Sequence, residues 1–168
     1  GNEANSGGGA YASTLNNCTL ARNTANSAGG GVYAGTLKNC IVYFNSAPTE
    51  PNVYAATLSY SCTTPDQGGI GSITNDPLFV ATNDFHLALG SPCINAGNNA
   101  FATNSATDLN GNRRIFSGLV DMGAYEFGGP ANTPATRYVS QTGSTPAWPY
   151  TNWLTAAANI QDAVDTAW

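Results

Sequence analysis

Apolar and small polar residues alternate along the first sixty positions in short runs, with no helical stripe among them. Val32-Tyr33-Ala34 and Cys40-Ile41-Val42-Tyr43-Phe44 are typical, each bounded by Gly or Asn. Runs of this length and punctuation predict strands. The pattern also returns. Asn2-Glu3-Ala4-Asn5-Ser6-Gly7-Gly8-Gly9-Ala10-Tyr11, ending at Leu15-Asn16-Asn17-Cys18, is repeated from Asn23 to Leu37-Lys38-Asn39-Cys40. A third, worn copy runs from Val53 to Cys62. Cys18, Cys40 and Cys62 lie 22 and 22 residues apart, and Leu15, Leu37 and Leu58 lie 22 and 21 apart. A period near 22 residues, holding two or three short strands and no helix-length segment, is what one coil of a parallel β-helix requires. Leucine-rich repeats have a similar length but need several Leu per copy, and each copy here has one.

Coils stacked about 4.8 Å apart set each residue above its counterpart one coil away. Leu15, Leu37 and Leu58, with Cys18, Cys40 and Cys62, are therefore expected as core ladders. Asn17 with Asn39, and Asn23 with Asn45, are expected as amide ladders at the corners, where Asn tolerates a left-handed backbone. Gly7 to Gly9 and Gly29 to Gly31 are expected to supply a positive-φ corner.

The copies Gly-Gly-Gly-Val-Tyr followed by Leu-x-Asn-Cys-x-Val resemble bacterial right-handed parallel β-helix repeat proteins of the pectate-lyase-like superfamily. Asn75-Asp76-Pro77-Leu78-Phe79, Asp84-Phe85-His86-Leu87 and Gly90-Ser91-Pro92-Cys93-Ile94-Asn95-Ala96-Gly97 resemble the way those helices finish. So do Asp108-Leu109-Asn110-Gly111-Asn112-Arg113-Arg114 and Val120-Asp121-Met122-Gly123-Ala124-Tyr125-Glu126-Phe127. The resemblance covers about residues 1 to 127 and implies an all-β, right-handed parallel β-helix of a secreted or surface-displayed bacterial protein. It implies no single activity.

The expected organisation is coils over 1–80, an irregular end segment over 81–127, a Gly/Pro/Asn linker over 128–136, and a strand plus amphipathic capping helix over 137–168. Trp153, Ala157, Ile160, Val164 and Ala167 fall at helical spacing behind Thr151 or Asn152 as N-cap. This last part resembles the start of such a β-helix, so the chain runs from coils to an end and then to a beginning. Tyr138, Val139, Trp148, Trp153, Ala157, Ile160, Val164 and Trp168 are the expected assembly interface, docking on the open end of the next unit. The alternative is that the helix folds back on its own coils.

Composition narrows the partners. Charged residues make up 9% of the chain, against about 25% in a typical soluble domain. The net charge of -5 and the single basic pair Arg113-Arg114 argue against nucleic acid, which needs clustered cations. No stretch approaches the roughly 18 apolar residues that cross a bilayer, so no membrane insertion is expected. The chain opens at Gly1 without a start Met or signal-peptide core, which reads as a mature form or a cut piece.

Candidate chemistry is sparse. No Cys-x-x-Cys or Cys/His pair exists, so buried thiols are expected rather than a metal, with one disulfide between neighbouring coils left open and Cys93 unassigned. His86 stands in Phe85-His86-Leu87 with no partner motif and reads as a packed or edge-strand residue. Glu3, Arg22, Lys38 and Glu50 are the only charges within 1–62, too few for a lyase or hydrolase constellation. Asp108-Leu109-Asn110-Gly111 shares its start with a calcium loop, but Leu119 stands where the bidentate acid belongs. An Asx-turn, with Arg113 and Arg114 bracing Asp121 or Glu126, is expected instead. Asn17-Cys18-Thr19 matches a glycosylation sequon, a weak pattern in a ladder position. Tyr11, Tyr33, Tyr43 and Tyr54 read as an aromatic ladder inside or along a coil.

The expected function is structural. No catalytic residue, cofactor or metal is expected. The chain reads as a β-helix module stacking head to tail with copies of itself into an extracellular filament or tandem stalk. The alternative is a carbohydrate-binding or adhesive surface module using exposed Tyr and Asn ladders, and a polysaccharide lyase or hydrolase comes third.

Overall fold

Residues 1–102, 106–116 and 118–128 are described by the computed structural model. The expected strand and helix of 137–168 lie outside them. What is described is all-β apart from one 3-10 turn at Asn99–Phe101.

Eight strands come first: β1 (Glu3–Ser6), β2 (Ala10–Asn16), β3 (Thr19–Ala21), β4 (Thr24–Ala28), β5 (Val32–Lys38), β6 (Ile41–Tyr43), β7 (Val53–Ser59) and β8 (Cys62–Thr63). They sort into three parallel sheets of order β1-β4, β2-β5-β7 and β3-β6-β8, which the chain visits in turn. The register is the sequence repeat. Leu15 faces Leu37 and Leu37 faces Leu58, Tyr11 faces Tyr33 and Tyr33 faces Tyr54, and Ile41 faces Cys62. Each strand is only two to seven residues long. Its stability must therefore come from the strand above and below it rather than from its own length.

Single left-handed residues bend the chain between and within these strands. Gly7, Ala12, Asn17 and Arg22 form the first set, Gly29, Ala34, Asn39 and Phe44 the second, and Glu50, Ala55 and Tyr60 the third. Members of one set are five residues apart, and equivalent members stack. Of the two Gly triplets, only Gly7 and Gly29 carry positive φ. The remainder are there for closeness: a Cβ on Gly30 would lie 2.3 Å from the Ser46 carbonyl oxygen and 2.5 Å from that of Pro51.

Two amide ladders tie the stack. Asn39 Nδ2 donates to Asn17 Oδ1 at 2.9 Å. Asn23 Nδ2 donates to Asn45 Oδ1 and Asn45 Nδ2 to Asn52 Oδ1, both at 3.0 Å. Asn52, seven residues after Asn45, continues a ladder that the period of 22 does not reach. All five amides are buried. The Asn ladders form as expected but are buried, unlike the exposed glycan ligands of the alternative reading, and the sequon Asn17 is engaged on both sides, donating to Phe101 O as well. Tyr11, Tyr33 and Tyr54 do stack, at 5.1 and 4.9 Å between ring centroids. Tyr43 is elsewhere, edge-on to Phe44.

After β8 the chain covers the far edge of the stack through isolated parallel bridges of Ser59 with Ile70 and Cys62 with Ile73. It then forms an antiparallel hairpin of β9 (Phe79–Ala81) and β10 (Asp84–Leu87) and returns along the flank of the ladders. Asn98 N donates to Asn39 Oδ1 and Gly123 N to Asn39 O, both at 2.8 Å. Ala124 N reaches Thr19 Oγ1, 105 residues back in the chain, at 3.0 Å. The core accordingly has two parts. Val32, Leu37, Cys40, Val42, Val53 and Leu58 fill one, and Ile41, Cys62, Leu87, Cys93 and Met122 join the ladder to the returning segment in the other.

Candidate functional site

The outer edges of β1, β2 and β3 pair with no strand among the described residues. Burial follows from that. Leu37, Cys40 and Val42 are wholly buried, whereas their equivalents one rung out, Leu15, Cys18 and Leu20, stay half-buried against the same core. A rung's inward residues are sealed only when there is a rung on each side, so this row is an unfinished apolar surface bordered by strand edges. The ladder core residues named from sequence are thus brought together. Leu37, Leu58, Cys40 and Cys62 are sealed and Leu15 and Cys18 are not. The assembly residues Tyr138, Val139, Trp148, Trp153, Ala157, Ile160, Val164 and Trp168 lie outside the described residues.

A cleft of about 640 Å³ runs between this edge and the returning segment, with Leu15, Asn16 and Cys18 on one wall and Asp108, Leu109 and Arg114 on the other. The second wall is held by a buried charge cluster. Arg114 Nη1 donates to Glu126 Oε1 and to Gly123 O, and Nη2 to Ala124 O, each at 3.1 Å. Arg114 Nε and Asn16 Oδ1 are buried and find no partner. Asp108 accepts from Asn110 N, Asn112 N, Asn112 Nδ2 and Glu126 N at 2.8 to 3.1 Å. Four in-chain donors make this an Asx-type turn. Arg114 alone of the basic pair braces an acid, and Arg113 is exposed.

Burial first, then the negative charge of Asp121, pushes Glu126 up to about 8 against the pull of Arg114. Burial also raises Asp121. On the other wall, the hydrogen bond with the Cys40 thiol is the main cause that brings Cys18 down to about 7, while Cys40 is pushed well above its usual value by the same contact and by burial.

His86 has partners that its local sequence does not announce. Its Nδ1 meets Asp84 Oδ1, its Nε2 lies 2.6 Å from Asn110 Nδ2, and its ring sits 4.0 Å from that of Tyr125. The hydrogen bond with His86 lowers Asp84. The imidazole therefore fastens β10 to the Asp108 turn. Among the described residues, no group of three or more His, Cys, Asp or Glu is arranged to hold a metal ion, and no helix is long and apolar enough to cross a membrane.

Sequence reasoning missed Asn52, Asn98 and the burial of Cys62 and Cys93 in one core. Each depends on segments meeting across the stack, for which the repeat carries no signal. Comparisons with protein-family models, curated proteins and solved structures find no match to this chain.

Proposed function

We propose that residues 1 to about 80 are coils of a right-handed parallel β-helix of the kind bacteria display in pectate-lyase-like surface proteins. On this reading the chain is a non-catalytic structural module that stacks head to tail into an extracellular filament or tandem stalk. The observation that carries the reading is the unfinished first rung, where Leu15, Cys18 and Leu20 stay half-buried beside unpaired strand edges. In-register parallel ladders support it, because the next rung is specified by the same side chains. The cleft supports it too, since two of the four buried side-chain polar atoms without a partner among the described residues, Asn16 Oδ1 and Arg114 Nε, stand on its walls.

The occupant proposed on this reading is segment 137–168 of the neighbouring unit, outside the described residues, whose sequence predicts a strand at Tyr138-Val139 to pair with the edge and an apolar stripe of Trp153, Ile160 and Val164 to cover the apolar row. Strand addition supplies main-chain hydrogen bonds. A contact between two different surfaces of one protein repeats without closing.

Electron microscopy of the full chain beside a form ending at Phe127 tests this. Filaments from the full chain that vanish on truncation, and with Leu15→Arg on the edge, are expected. Monodisperse particles from both lengths would overturn the proposal in favour of a self-capped module, whose outward Tyr11-Tyr33-Tyr54 stack would then be the glycan-binding candidate.

A further inference from the structure

The four cysteines are not one ladder of equals. Cys18 and Cys40 lie in the first core, while Cys62 and Cys93 lie in the second, both wholly buried in one cluster with Ile41, Leu87 and Met122. All four are thiols in this structure. Cys18, Cys40 and Cys62 belong to stacked positions, as the backbone bonds Ile41 N to Cys18 O (2.9 Å) and Cys62 N to Cys40 O (2.8 Å) record. Stacked side chains leave their strands in the same direction, so their Cβ atoms keep roughly the 4.8 Å rung spacing. A disulfide wants Cβ atoms about 3.5–4.5 Å apart and pointing toward each other. Cys93 is free of that constraint. It sits on the returning segment, outside every sheet, where Met122 N donates to its carbonyl at 3.0 Å and its own N–H binds Ser91 Oγ at 3.2 Å. It enters the Cys62 cluster from the returning segment rather than from a stacked strand.

We propose that Cys62 and Cys93 are a disulfide site that covalently fastens the returning segment to the third rung. The oxidant is a low-molecular-weight disulfide such as oxidised glutathione. One protein thiolate attacks it, forming a protein–glutathione mixed disulfide and expelling one glutathione thiolate. The second protein thiolate then attacks the protein sulfur of that bond and expels the other. The two protons leave with the two glutathione molecules, whose disulfide has taken up two electrons. Both sulfurs are sealed once the segment docks, so the bond forms during folding.

The test is to refold the full chain in oxidised and reduced glutathione, alkylate it under denaturing conditions, and digest with chymotrypsin and Asp-N, which cut between all four cysteines. The expected product is one linked peptide pair holding Cys62 and Cys93, with Cys18 and Cys40 alkylated. Closing this loop of about thirty residues should raise the melting midpoint on the order of 10 °C over the reduced chain. Cys93→Ser and Cys93→Ala should each remove the difference between oxidised and reduced samples, and Cys18→Ser should keep it. Four alkylated cysteines, or a link that joins any other pair in place of this one, would overturn the proposal.

Discussion

Replacing Arg114 with Met should lower the unfolding free energy by about 3–5 kcal/mol at about pH 9, where Glu126 is ionised, the range seen when one partner of a buried ion pair is removed. Met fills most of the volume, so the loss comes from charge and hydrogen bonding rather than from a cavity. Glu126 Oε1, Gly123 O and Ala124 O lose their guanidinium donors together. Asp121 and Asp108, both nearly inaccessible, are left without a buried cation. A urea titration followed by circular dichroism reads the change, and a loss below about 1 kcal/mol would show that the cluster is not holding the returning segment.

The same cluster gives stability a pH dependence with a definite sign. Glu126 is raised from 4.5 to about 8, so between those values the folded chain keeps a proton that the unfolded chain has released. Stability on this account falls as pH rises through that window. Melting midpoints should decline between about pH 5 and about pH 7; above that the lowered Cys18 thiol, which the folded chain deprotonates before the unfolded one, works the other way. Glu126→Gln, which cannot ionise, should flatten the decline.

The second large effect is expected at Asn39. Its side chain donates to Asn17 Oδ1 at 2.9 Å and Asn98 O at 3.0 Å, and accepts from Asn98 N at 2.8 Å, with no exposed surface. It therefore joins the rung above to the returning segment. Asn39→Ala leaves one buried acceptor, Asn17 Oδ1, and a partly buried acceptor and donor on Asn98 without this partner, at up to about 1–3 kcal/mol each before relaxation. It also puts Ala in a left-handed backbone of φ 51° that Asn tolerates better. A net loss of about 3 kcal/mol or more is expected by chemical denaturation. Asn39→Asp, which is nearly isosteric, should be no better, because it turns both donors into acceptors facing other acceptors. A neutral Asn39→Ala would mean that water replaces the amide, and the joint would not be structural.

The part of this architecture that repeats was legible in the chain. Spacing alone aligned Leu15, Leu37 and Leu58, and the same alignment is the observed strand register, because stacking forces equivalent residues to coincide. The Asn17–Asn39 and Asn23–Asn45 ladders followed from the same spacing. Their extension to Asn52 did not, since an amide need only arrive at the corner, by whatever path. Ala12, Ala34 and Ala55 adopt left-handed backbone without a residue type that announces it. The partners of His86 and Arg114 lie 24 and 12 residues away at Asn110 and Glu126, and Thr19 meets Ala124 at a separation of 105. Contacts of that kind are specified by the shape of the flank, and a repeat carries no information about a segment that occurs once.

The left-handed residues also decide where the chain can change length. Within each set they keep their intervals of five, but Arg22 is followed by Gly29 and Phe44 by Glu50, intervals of seven and six. The pairing offsets change along the same arc: Glu3 pairs with Thr24 and Ser6 with Ala28, while Thr24 pairs with Ser46 and Ala28 with Thr49. One side of each turn thus works as an expansion joint. An insertion or deletion there is absorbed locally, whereas the same change between Gly29 and Phe44 would throw the Leu, Tyr and Asn columns out of line at once. Lineages that lengthen or shorten such a rung should carry their length variation in the span from 24 to 28 and in its counterpart from 46 to 49, beyond the Asn23 and Asn45 ladder.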